Sequence, residues 1–396
     1  MPWMRRVLLV VFTAILAGQH PAVAAGYPKV DAQVETPGLF DDAEGGNADA
    51  DDPAIWVNDH DPSRGIVVAT AKEGGLHSYR LDGKQIKHVA APARPGPEHA
   101  PGRFNNVDIV DDLAIVSDRG RDHIRFYKVN GLEDLTAPDV PFVFSANQSE
   151  VDEQRTAYGL AAWYDRADRA TYVLVSRRST TQVALLKVEP RGKRYSYRVV
   201  RTLDLPGEFT LPNGAKWQPC DEPGVQPQVE GMVVDHRTGT LYAGQEDVGI
   251  WRVSAKLTGR PVLIDKVREF GVPGTYDPET EECAPGKDPG FGGHHVSADV
   301  EGLTIHYGRN LLLVSSQGDN TFAAYDLPGR YRASFQIKYG DDLVQESDGA
   351  TVVGTSLGPR YPHGLLAVQD GRNAGESRDS TNFKFVRWEE VARAIP

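Results

Sequence analysis

The chain has 396 residues, with 55 acidic against 43 basic side chains and a formal net charge of -12. That excess of negative charge excludes nucleic acid and anionic membrane surfaces as natural partners. The 40 glycines and 27 prolines require many turns between short elements, which points to β structure rather than helices.

In chain order, a short basic segment (Met4, Arg5, Arg6) precedes the apolar run "VLLVVFTAILAG" and the small-residue stretch "AVAAG". These are the three parts of a secretory signal peptide, with cleavage expected after Ala24 or Ala25, and the apolar run is too short to span a bilayer. Residues 1–25 are therefore expected to be removed, leaving a secreted protein, periplasmic or extracellular, of residues 26–396. No later segment is apolar enough for a membrane helix. The remainder is long for one domain unless the fold is a repeat or a barrel.

A repeat is present. A short apolar strand, a polar turn and a second strand ending in an aromatic residue or Leu recur six times, from "IVVATAKEGGLHSY" and "LAIVSDRGRDHIRFY" to "LLLVSSQGDNTFAAY" and "LLAVQDGRNAG". Two residues beyond each first-strand end stand Lys72, Arg119, Arg178, Glu246, Gln317 and Asp370. Upstream of each hairpin lies another strand: "DDPAIWV", "NVDIV", "AYGLAAW", "VEGMVVD", "VEGLTIH" and "SDGATVV". Five of these starts carry a carboxylate (Asp52, Asp108, Glu230, Glu301, Asp348) and the third carries Tyr158. The irregular spacing is near the length of a four-stranded propeller blade, so a single all-β, six-bladed β-propeller with four antiparallel strands per blade is expected. Asp-Gly and Glu-Gly also start strands after turns as a local preference, but six copies in register place a ring of carboxylates at one mouth of the central channel.

Converging carboxylates repel one another unless cations lie between them. All-oxygen ligands select a hard ion, and Ca2+ accepts many carboxylates in flexible geometry where Mg2+ demands a strict octahedron. His294 and His295 sit apart in a Gly-rich loop. Lys72, Arg119 and Arg178 beside an acidic, metal-holding ring suit a ligand with several phosphates. There is no RHGxRxH, Cys-x5-Arg, GxSxG or Walker loop, so metal-activated water attacking phosphorus is the expected chemistry.

The segments "DADDPAIW", "NNVDI", "AYG", "VEGM", "QED", "DVEGLTI", "SSQGDN" and "YPHGLLAVQDG" resemble, in order, the motifs of the β-propeller phytases, calcium-dependent alkaline phytases of bacteria. The resemblance implies a six-bladed propeller that hydrolyses phytate, taken as its calcium complex, as a phosphoric monoester hydrolase of the 3-phytase type. It implies that Asp51, Tyr158, Glu230, Asp299, Glu301 and Gln317 surround several active-site calcium ions, with Glu230, Asp299, Glu301 and Tyr158 at the reaction centre. Asp52 and Asp348 match ligands of further calcium ions. Lys72, Arg119 and Arg178 match phosphate-binding positions, and Glu246 matches an acidic residue of the substrate site. Asp370 and Asn373 fall where the family has a calcium-binding loop. Arg178 replaces a Lys, Asp49 is displaced by one residue from the family motif, and Arg155 is one place from a basic position. Two competing readings are a calcium-dependent propeller lactonase or esterase, which would need a channel histidine, and a non-catalytic binding propeller. A monomer is expected.

The two cysteines, Cys220 and Cys283, lack zinc-site spacing and in an oxidising compartment form one disulfide. They lie in the insertions leading to the strands that begin at Glu230 and Glu301, so the bridge is expected to tie two loops into a rim on the ring's face.

Overall fold

The computed structural model describes residues 26–40, 49–374 and 380–395, in which six four-stranded antiparallel sheets stand around a central channel. The signal-peptide expectation falls outside the described residues. The inner strands are Pro53–Trp56, Phe104–Val110, Ala157–Asp165, Val229–Asp235, Val300–His306 and Ala350–Val353, one per blade and each from one of the six expected segments. Residues from all six line the channel.

Burial explains why the repeat reads as apolar runs rather than alternating residues. Second strands such as Ile66–Thr70 and Leu311–Ser316 are buried on both faces, because each blade packs its flat sides against its neighbours. Outermost strands such as Gln85–Val89 are mostly exposed and carry the polar residues.

Two features of closure were not anticipated. The sixth blade takes three strands from the C-terminal part (Ala350–Val353, Leu365–Asp370, Asn382–Arg387) and its outermost strand, Val34–Glu35, from the N-terminal part, with Val34 opposite Phe385. Joining the two ends of the chain in one sheet removes the open edge at which a ring could part. The preceding strand, Lys29–Asp31, adds in parallel to the outside of blade five.

Inner strands of blades two to five share an irregularity. Pairing with the second strand slips between Phe104 and Val107, Ala157 and Leu160, Val229 and Met232, and Val300 and Leu303. Each slip is a bulge at the channel mouth that re-aims one side chain, as bulges do at active sites. In register, the residues after the first pair are Asn105, Tyr158, Glu230 and Glu301.

The glycine that follows has a steric cause. A Cβ on Gly159 would lie 2.0 Å from the Glu230 carbonyl oxygen, and one on Gly231 would lie 2.1 Å from that of Glu301. Gly302 and Gly349 press in the same way on Ala350 and Asp52. The recurring Glu-Gly and Asp-Gly therefore pairs a mouth-facing side chain with a residue small enough for the next inner strand to pass over it. Hydroxyls reinforce these seams: Ser176 donates to the Val229 carbonyl and Ser315 to that of Ser347.

The two insertions form short hairpins, Phe209–Thr210 with Lys216–Trp217 and Gly274–Asp277 with Glu282–Pro285. They flank blade four, and Cys220 and Cys283 are disulfide-bonded across them with Cα atoms 6.0 Å apart. The expected pairing is present.

Candidate active site

The mouth ring has a composition that differs from the expected one in two blades. Register puts Asn105, not Asp108, at the second blade's ring position, and Asp51 rather than Asp52 at the first. Asp108 lies deeper: its Oδ2 accepts from the Ala162 N–H at 2.9 Å and its Oδ1 from the Ile109 N–H at 2.7 Å. Asp52 points into the channel, where Oδ2 accepts from the Val107 N–H at 3.0 Å. A carboxylate near a strand start is not enough; the bulge and the glycine rule set which residue faces the mouth, and Asn105–Asn106 fills that pair of places in blade two.

The remaining expected residues come together. Glu230, Glu246 and Glu301 each bring a carboxylate oxygen within 4.8 Å of one another, and Glu246, Asp247 and Asp299 form a second such group. Asp51, Glu230 and Glu301 are buried. Burial raises the pKa of Glu301 well above its ordinary value, and Glu230 and Glu246 push it further. Burial likewise raises Asp51, against the opposing pull of Lys72, and lifts Asp299 to about 6. One oxygen each of Asp51, Glu246 and Glu301 is buried without a hydrogen-bond partner. Such oxygens are costly unless a cation satisfies them.

Hydrogen bonds tie the ring across blades. The Tyr158 hydroxyl donates to Glu230 Oε2, and Asn105 Nδ2 donates to Glu230 Oε1 at 2.6 Å. Glu230 is thus held from both sides, with Arg119 donating to Asn105 Oδ1 at 2.9 Å and lying 5.4 Å above the Tyr158 ring. Gln317 Nε2 donates to Asp348 Oδ1 at 2.7 Å, and Gln228 Nε2 to Glu246 Oε2 at 3.0 Å.

The basic residues occupy the turns on the same face. Lys72 Nζ sits 2.7 Å from Asp49, 3.4 Å from Asp348 and 3.8 Å from Asp51. Burial alone would lower its pKa, but Asp49, Asp348 and Asp51 outweigh that and keep the ammonium charged. Burial and the nearby charges of Arg103 and Arg178 pull the Arg119 pKa down to about 10. Asp49, left without a role by the sequence, is Lys72's nearest partner. Asp247, Asn105 and Gln228 were also missed. "QED" did offer Asp247 beside Glu246, and "NNVDI" did offer Asn105, but neither fitted a rule built on strand-start carboxylates.

Asp370 and Asn373 do not join the ring. They converge on the fully buried Lys384, whose Nζ lies 3.2 Å from Asp370 Oδ2, 2.7 Å from Asn373 Oδ1, 2.6 Å from Glu35 and 2.9 Å from Asp342. This cluster fastens the N-terminal strand of blade six.

A family model described as phytase matches residues 4–122 and 276–396. A 3-phytase of Bacillus subtilis (strain 168) is 31% identical over 98% of this chain and 91% of its own length. Among solved structures, a calcium-binding protein titled regucalcin from Agrobacterium tumefaciens aligns over 91% of this chain and 97% of that one, at 12% identity and a TM-score of 0.47. A virginiamycin B lyase from Staphylococcus aureus aligns at 12% identity over 86% of this chain and 95% of that one, with a TM-score of 0.44. Both likenesses are too loose to bear on the chemistry. The family match at both ends of the ring and the near full-length relative agree, and the chain belongs to the phytase family, enzymes that hydrolyse phytate.

Proposed function

We propose that this phytase works with several calcium ions held in the mouth ring. Asp51, Tyr158, Glu230, Asp299, Glu301 and Gln317 would surround the ions at the reaction centre, joined by Glu246 and by Asp247. Asp348 and Asp52 would serve others, Asp52 from inside the channel. The observation that carries the reading is the two carboxylate groups that share Glu246, in which one oxygen each of Glu246 and Glu301 is buried without a hydrogen-bond partner. The donor set is all oxygen and flexible in number, which suits calcium above magnesium or a transition metal. When bound, calcium supplies positive charge to the phosphoryl oxygens and makes water a stronger nucleophile.

The chain's own residues supply position and field. Lys72 offers its ammonium to a phosphate oxygen by exchanging one of its three carboxylate partners. Arg119 and Arg178 face other oxygens of the substrate with fixed planar donors. Tyr158 and Asn105 donate to the two oxygens of Glu230 and hold its carboxylate in one orientation. Phytate carries many phosphates, so one can occupy the reaction centre while a neighbour rests on the basic turns.

Every residue of this site comes from one closed ring, which supports action as a monomer. The Cys220–Cys283 bridge supports an exported, oxidised enzyme. A lactonase-type reading lacks its histidine: among the described residues, none of the six ring positions holds one. Calcium binding by equilibrium dialysis tests the assignment. Wild type should bind several ions per chain and Glu230→Gln fewer; equal stoichiometry would remove Glu230 from the metal site.

A further inference from the structure

We infer that Arg268 and Glu269 are positioning residues for Asp299: together they clamp residues 296–298, so that the Asp299 carboxylate stays in one group with Glu246 and Asp247. This rests on the calcium-site reading of that group above.

Asp299 ends the loop that leads from blade four to the inner strand Val300–His306, and successive residues of that loop are each held. Arg268 and Glu269 follow blade four's outermost strand, Val262–Lys266. The Arg268 N–H donates to the Val296 carbonyl at 2.9 Å. Arg268 Nη1 lies 2.8 Å from Ser297 Oγ, to which it donates, and the Ser297 N–H donates to Ser316 Oγ at 2.8 Å. The Ala298 N–H donates to Glu269 Oε2 at 3.0 Å. The Asp299 carbonyl accepts from the Gln317 N–H at 2.9 Å, and the Val300 N–H donates to the Glu246 carbonyl at 3.0 Å. Blade five grips the loop on one side, and Arg268 and Glu269 grip it on the other.

Arg268 reaches further. Its Nη1 also pairs with Asp319, in the turn that carries Gln317, and its Nη2 donates to the Tyr27 hydroxyl at 3.1 Å. One guanidinium therefore joins the Asp299 loop, the Gln317 turn and the N-terminal segment, using the fixed fork of donors that Lys lacks. Glu269 stands close enough to the second carboxylate group for its charge to be felt at Asp247 and Asp299. One more negative charge there opposes the gathering of that group, and a half-exposed Arg268–Asp319 pair by itself would contribute little to stability. What the two side chains share is their hold on the backbone that presents Asp299. A shift of about 1 Å in a reacting geometry, even from a distant substitution, can cost roughly a hundredfold in rate.

The test combines steady-state kinetics of the full chain on phytate in saturating calcium with calcium binding by equilibrium dialysis. Glu269→Ala removes the acceptor for the Ala298 N–H, whereas Glu269→Gln keeps an oxygen there without the charge. Glu269→Ala should lower kcat about tenfold or more with KM within about twofold, and should weaken calcium binding about tenfold. Glu269→Gln should stay within about threefold of wild type in both measurements. A kcat within about twofold of wild type in Glu269→Ala would overturn the inference. So would a Gln variant as impaired as the Ala variant, because the charge of Glu269 would then matter rather than its hold on the loop. A lower melting temperature with kcat and calcium binding intact would mark a purely structural clasp and would overturn it too. If Glu269→Ala does not fold, Arg268→Met decides: it loses the Ser297 and Asp319 contacts, and unchanged kcat and calcium binding in it would overturn the inference. Failure of wild type to bind calcium would instead strike the reading on which this rests.

Discussion

For single residues, the chemistry turns on which side chains face the mouth. Glu230 touches Tyr158 and Asn105 and shares a carboxylate group with Glu246 and Glu301, while Asp299 belongs to the second group. Glu230→Gln and Asp299→Asn keep shape and remove one negative charge each. Turnover of phytate should fall by about a hundredfold or more in each, as expected when a group stabilising the transition state is lost. Melting temperature in calcium should change by only a few degrees. Activity within a few-fold of wild type in both variants would contradict the site. Glu230 and Glu301 were legible because they begin strands with a clear apolar pattern, whereas Asp299 came only from the family resemblance. Asp51 was named by the family resemblance while the strand-start pattern pointed to Asp52, and Asn105 was not named at all, because the hydrogen-bond register that sets which residue reaches the mouth has no local signal.

At the scale of elements, the Glu-Gly and Asp-Gly pairs explain both the repeat and its tightness. The glycines were visible in the sequence, but the contact that requires them lies between blades some seventy residues apart and had no local signal. Gly231→Ala would place a methyl 2.1 Å from the Glu301 carbonyl oxygen, where backbone must move. We expect a loss of roughly 2–4 kcal/mol, read as a lower midpoint in chemical denaturation, together with lost turnover because Glu301 shifts. An Ala variant as stable and active as wild type would show that the seam is looser than described. The disulfide was legible from cysteine count and from the two insertions leading to consecutive inner strands, and it closes a sequence separation of 63 residues. Its reduction should leave the blades folded while lowering stability by about 4 kcal/mol at most, the chain-entropy value for such a loop. Loss of the β-sheet signal in circular dichroism on reduction at ambient temperature would contradict a peripheral role.

Across the whole molecule, the ring gathers buried carboxylates from several blades at one mouth of the channel. Closure through Val34–Glu35 was not legible, because a two-residue strand carries no pattern and its partner lies at the other end of the chain. The buried carboxylates predict a particular pH dependence for metal-free protein. Burial raises Asp108 and Asp299 to about 6 and Asp348 to about 7. A carboxylate with a raised folded-state pKa adds stability below its unfolded value, about 4, and that stability is lost as pH rises through the folded value. Asp165 and Asp326 shift the opposite way, but they are near the surface and contribute little. Chelated protein should therefore melt roughly 5–10 °C lower at pH 8 than at pH 5, whereas calcium-loaded protein should not. Equal midpoints at the two pH values after exhaustive chelation would mean the ring carboxylates are not strained by their burial.

Calcium dependence is tested by phosphate release from phytate by the purified protein across a calcium titration, followed by chelation and calcium re-addition. Turnover should vanish in excess EDTA, rise with calcium to a plateau and recover on re-addition, with magnesium unable to substitute. Phytate hydrolysis that persists undiminished after exhaustive chelation would contradict it.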